Sequence, residues 1–188
     1  MRAILVVVWS FVLATPATAE VVASSSGGFA THDSAVVAAD RGAAWNELIH
    51  PENWWSHTWS DNSDNLSLDP AAGGCFCETL PADGDWPAGS VEHMRVITVM
   101  PGSTLRMSGA LGPLQAEGLT GTLTVSLEDA GEGTRIAWDY VVGGQTRLPV
   151  DTIAPAVDAV QSEFLGALVG RLGGPIDHAV ESGVEDFD

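Results

Sequence analysis

The spacing of apolar residues along this chain switches from a strand period to a helix period and back, and it ends on one long helical stretch. Phe29 to Val37 alternates as a first strand. Ala38 to Ile49 then carries Ala43, Trp45, Leu48 and Ile49 at helical spacing, after Asp40 as N-cap and before Pro51 as terminator. Pro51 to Trp59 reads as a second short helical turn with its proline at the first position.

From Leu66 to about Gly144 the period returns to two. Leu66 to Leu68, Gly74 to Leu80, Ser90 to Met100, Thr104 to Leu111, Gly121 to Glu128 and Thr134 to Val142 are the strands. Turn residues divide them: Asp69-Pro70, Asp83-Gly84, Pro101-Gly102, Gly112-Pro113 and Gly131-Glu132-Gly133. Such a series implies an antiparallel meander. Leu123, Val125 and Leu127 alternate with Thr122, Thr124 and Ser126, which means one buried and one wet face, and Ile136, Trp138, Tyr140 and Val142 share the inner face of the next strand. A final helix is read from Pro155 to Leu172, with Val157, Val160, Phe164 and Leu168 on its apolar side and Gly173-Gly174-Pro175 as its stop. At 1.5 Å per residue its length is ~27 Å, enough to cross a sheet. The fold class is therefore α+β.

The beginning of the chain changes the picture of where the protein works. Met1 and Arg2 precede an apolar run from Ala3 to Leu13, and Ala17 and Ala19 form a small-x-small site. This is the pattern of a secretory signal cleaved before Glu20, and Pro16 ends the run too early for a spanning helix. The expected organisation is a signal peptide at 1–19, a flexible lead at 20–28, one folded domain at 29–174 and an acidic tail at 175–188. A periplasmic or secreted protein with no membrane span after cleavage is expected.

Charge excludes one partner class. The 25 acidic residues face seven basic ones, all arginine, for a net charge of −18. Such a chain repels phosphate, so nucleic acid is not an expected partner. Cys75 and Cys77 flank Phe76, and residues i and i+2 of an extended strand lie ~6.5 to 7 Å apart at Cα, the upper limit for a disulfide. A strained bridge and two packed thiols both stay open; no metal or cofactor is expected.

The run Ala44-Trp45-Asn46-Glu47-Leu48-Ile49-His50-Pro51-Glu52-Asn53-Trp54-Trp55, the Gly-Gly segment from Pro70 to Cys77, and the hairpin from Arg95 to Arg106 through Pro101 resemble motifs of the START-like helix-grip superfamily (SRPBCC). That superfamily includes polyketide cyclases, lipid-transfer domains and heat-shock ATPase activator homologues. The resemblance covers residues 29 to 172 and implies a curved antiparallel sheet of six to seven strands around a long C-terminal helix, with two short helices after the first strand. It carries over no catalytic residue, because the superfamily shares none. Export disfavours the chaperone-partner role of the heat-shock activator branch.

Within that frame the expected ligand contacts are Trp54, Trp55 and Trp59 at the mouth of a pocket. Met94, Met107, Trp138 and Tyr140 would face Val160 and Phe164 across its interior, with Phe76 and Leu111 completing the wall. Glycines 109, 112, 118 and 121 supply little volume to fill the middle. Glu78 shares a face with Phe76, and a carboxylate held among apolar groups has its pKa raised, as a general acid or base requires. His93 is the other catalytic candidate. Met94 and Val96 would draw Glu92 or Thr98 inward and leave His93 wetter, whereas Ile97 and Val99 argue for the opposite face. Three functions compete: binding of a hydrophobic or amphipathic small molecule, a cyclase, dehydratase or hydrolase-like activity using Glu78 or His93, and a protein-interaction module presenting the aromatic helices. Oligomeric state is not legible.

Overall fold

The computed structural model describes residues 20–176, so the expected signal peptide at 1–19 and residues 177–188 of the expected tail lie outside the described residues. Strands β1 (Glu20–Ser25) and β2 (Gly28–Val37) open the fold as an antiparallel hairpin. Helix α1 (Arg41–Leu48) follows, capped as expected by Asp40, whose carboxylate accepts from the Ala43 amide at 2.8 Å. Then come β3 (Leu66–Leu68), β4 (Cys75–Leu80), β5 (Gly89–Met100), β6 (Thr104–Ser108), β7 (Gly118–Ala130), β8 (Gly133–Gln145) and helix α2 (Val150–Arg171). All eight strands make one antiparallel sheet in the order β1-β2-β8-β7-β6-β5-β4-β3, curved around α2. Among the described residues no helix is long and apolar enough to cross a membrane.

Four expectations need correction. The lead at 20–28 is a strand and its turn: β1 pairs with β2, and Ser26-Gly27 joins them. Composition hid it because an exposed edge strand needs no apolar stripe. The second helical turn shrinks to a 3-10 turn at Pro51–Asn53, and a further 3-10 turn occupies Gly112–Ala116, beyond the end of β6. The long helix starts at Val150, not Pro155. Pro155 sits on its exposed side near the start, where a missing amide removes one hydrogen bond and leaves the turn intact.

The fourth correction concerns β5. Phe76 pairs with Met94 while Cys77 pairs with Glu92, so His93 is an extra residue in the ladder. This bulge turns His93 and Met94 both inward and leaves Glu92 and Arg95 outside, where they form an ion pair. A second irregularity skips Ile97, which is exposed. The expected parity therefore fails twice within one strand. Opposite the first bulge, Cys75 and Cys77 are joined by a disulfide with their Cα atoms 5.4 Å apart, closer than an extended strand would hold them.

The inner face of the sheet and the buried side of α2 make the core. Phe164, Leu165, Leu168 and Val169 of α2 are buried against it, as are Leu123, Val125, Ile136 and Val142. Burial of each such side chain contributes ~1.5–3 kcal/mol. Val157 and Val160 are only half-buried.

Candidate ligand cavity

A cavity of about 260 Å³ opens between three pieces of chain. Helix α2 supplies Ile153, Val157, Val160 and Phe164. The loop after β6 supplies Leu111 and Leu114. The segment after α1 supplies Trp55, His57 and Trp59. His93 of β5 closes the inner end, and half-exposed Leu148 and Trp59, itself 56% exposed, stand at the mouth.

Local chemistry explains why each wall stands where it does. Gly112 takes the left-handed conformation at φ 54°, which turns the loop over so that Leu114 is buried against the cavity. The Trp55 indole lies parallel to Phe164, ring centroids 3.6 Å apart, and edge-on to Phe76 at 4.8 Å. Phe76 stacks in turn on His93 at 4.9 Å. Ser56 and His57 hold Glu163 of α2 at 2.9 and 3.2 Å, latching the loop to the helix.

Glu78 latches the same loop from beneath. Its side chain is sealed from solvent, and it accepts hydrogen bonds from the amides of Trp59 at 3.0 Å and Ser60 at 2.6 Å. His93 Nε2 lies 2.9 Å from the same carboxylate. Burial pushes the Glu78 pKa up, but Ser60, the Trp59 amide and His93 together outweigh it and hold the carboxyl below its ordinary value. The expected elevation is thus reversed, because the sequence does not show that backbone amides nearly twenty residues away converge on this side chain. Burial depresses the His93 pKa, with Glu78 opposing. The pair is a carboxylate facing a neutral imidazole, and His93 is 2% exposed rather than wet.

No family model matches the sequence, and no curated protein matches it. Solved structures do. An uncharacterised protein from Rhizobium leguminosarum superposes with a TM-score of 0.56 at 16% identity over 84% of this chain and 99% of its own. Ara h 8.0201 gives 0.53 at 13% identity, covering 78% and 98%, and the Aha1 dimer subunit from Colwellia psychrerythraea gives 0.50 at 12%, covering 75% and 93%. The chain has the helix-grip fold.

In this helix grip the expected site residues divide into two groups. Trp55, Trp59, Leu111, Val160, Phe164 and His93 line the cavity. Trp54, Phe76, Met94, Met107, Trp138 and Tyr140 do not; they are buried core. The middle of the sheet, expected to be hollow, is filled. Trp138 donates from Nε1 to the buried Gln161 of α2 at 2.8 Å, and Trp54 packs edge-on to it at 5.9 Å. The Tyr140 hydroxyl donates to the Gly109 carbonyl and accepts from the Leu111 amide. A Cβ on Gly121 would lie 2.4 Å from that hydroxyl, so the volume this glycine lacks is taken by tyrosine.

Sequence reasoning missed Leu114, Leu148, Ile153 and Val157 as cavity wall. Val157 was on the expected apolar face of the helix. Ile153 precedes the proline taken as the helix start, and Leu114 belongs to a loop whose direction depends on Gly112. Gln161 was missed as the partner of Trp138; a glutamine within an apolar helix face, opposite a tryptophan, was the available signal.

Proposed function

We propose that this protein binds a compact hydrophobic or amphipathic small molecule in the cavity at the open end of its grip. One observation carries the reading: an apolar, partly enclosed space of about 260 Å³ in whose wall, among the described residues, His93 is the one buried histidine. That volume lies just below the ~300–1,000 Å³ of typical small-molecule pockets and suits a ligand of one or two rings. The signal-like pattern at 1–19 supports a periplasmic or secreted site of action; amino-terminal sequencing of exported protein should begin at Glu20.

A neutral naphthalene-based fluorescent probe should bind the delipidated protein at one per chain. Val160→Trp places an indole in the cavity and should abolish binding while leaving the far-ultraviolet circular dichroism intact. Equal binding by both proteins, or by neither, sinks the reading. The Glu78–His93 pair favours a second reading, an enzyme using His93 as a general base. Turnover of a carbon acid bound in the cavity, lost in His93→Gln, would bring that reading forward.

A further inference from the structure

The cavity reading leaves open what the ligand must carry, and the protonation of one ring narrows it. Glu78 is a carboxylate and already accepts from two backbone amides, so it has only acceptor oxygens to offer His93. The short contact from Nε2 is therefore an N–H donating to Glu78, which fixes the tautomer. In a neutral ring the other nitrogen, Nδ1, then presents a bare lone pair. Nδ1 makes no hydrogen bond among the described residues. Nor is it one of the sealed side-chain atoms without a partner there, which are Thr31 Oγ1 and Asp158 Oδ1. His93 is otherwise almost wholly covered, and the space it borders is the cavity.

We propose that His93 Nδ1 is the recognition atom of the cavity, and that the ligand is a compact apolar molecule bearing one neutral hydrogen-bond donor, a phenol or an alcohol. The inference rests on the cavity reading. A hydrocarbon would leave the lone pair buried without a partner, which is costly. A carboxylate would meet an acceptor backed by the charge of Glu78, and among the described residues no arginine lines the cavity to offset it. His57, the other histidine in the wall, is half-exposed and directs Nε2 to Glu163. Glu78 is a positioning residue here: it holds the tautomer and does not touch the ligand.

Three probes of similar shape separate the outcomes: α-naphthol, α-methylnaphthalene and α-naphthoate, each titrated into the delipidated full chain by calorimetry. The phenol should bind about tenfold tighter than the methyl compound, the worth of one well-formed hydrogen bond in a dry site. His93→Phe should erase that preference while still binding the methyl compound. Nitrogen NMR of the wild type provides a readout independent of any variant's folding. The Nδ1 resonance of His93, assigned by its loss in His93→Gln, should move with the phenol and stay with the methyl compound. Equal affinities with an unmoved Nδ1 would overturn the inference and leave the cavity reading standing. Tightest binding of the naphthoate would overturn it too, and binding of none of the three would remove the cavity reading itself.

Discussion

Two carboxylates are buried on different strands of the sheet, Asp33 on β2 and Glu78 on β4, and they behave in opposite ways. The flank of the sheet at β1, β2 and β8 holds Asp33, 6% exposed; the flank at β4 and β5 holds Glu78, 1% exposed. Burial pushes the Asp33 pKa up, and the hydrogen bond from the Ser34 amide at 2.7 Å does not bring it back. Glu78 has three donors aimed at it and ends below its ordinary value. Depth of burial alone therefore decides neither the charge nor the role of such a group. The donors decide it, and two of the three on the Glu78 side come from the loop that also walls the cavity.

Packing follows the same division. Beneath the first flank Trp138 and Tyr140 fill the space with their polar tips satisfied, whereas beneath the second the wall of α2 at Val157 and Val160 faces open volume. The largest expected effect tests that contrast. Trp138→Ala should cost ~3–5 kcal/mol in urea unfolding, through the cavity it leaves and the unpartnered Gln161. Val157→Ala, which enlarges a space already present, should cost about 1 kcal/mol. Similar losses at the two positions would mean the flanks are packed alike.

Glu78→Gln sharpens the electrostatic half. The amide keeps the shape but brings a donor against the Trp59 and Ser60 amides, so stability at neutral pH should fall by about 2 kcal/mol. The pH dependence carries the sign. Glu78 has a folded pKa below its ordinary 4.5, so its contribution is present above pH 4.5 and lost as pH falls through the folded value. His93, depressed from 6.5, acts in the same direction, its loss beginning below pH 6.5. The difference between wild type and Glu78→Gln, followed by thermal melts, should therefore shrink below pH 4.5. A difference constant through that range would show that Glu78 is not held as described.

These residues also mark where the sequence was readable. The Asp40 cap, the alternation in β7 and β8 and the apolar face around Phe164 and Leu168 follow from local rules of period and capping, and each stands where expected. The orientation of His93 was not readable, because a bulge adds one residue without a residue-type signature and reverses every parity argument beyond it. Of the cavity, the aromatic wall at Trp55, Trp59 and Phe164 was legible from composition. Its position was not. Where the empty space falls depends on Trp138 meeting Gln161 and Tyr140 lying over Gly121, contacts between elements that no local pattern encodes.

The smallest expected effect lies on the packed flank, at Asp158 of α2. Among the described residues its Oδ1 is sealed without a partner, and burial, with Asp33 and Glu20 nearby, raises its pKa above 3.8. A carboxyl whose folded pKa is raised contributes most below its unfolded value, and that contribution is lost as pH rises through the folded value, the reverse of Glu78. At neutral pH the group is thus a net cost, set against a neighbouring carboxylate that is itself pushed up. Asp158→Asn removes the charge and offers a donor toward the acidic neighbours, so it should raise stability at pH 7 by on the order of 1 kcal/mol. The gain should fade as the pH is lowered toward 3.8, where the wild-type carboxyl becomes neutral as well. Thermal melts of the two proteins from pH 4 to pH 8 measure this directly. A destabilised variant at pH 7, or a gain that grows on acidification, would show that Asp158 is satisfied in solution and that the two flanks differ in packing but not in charge.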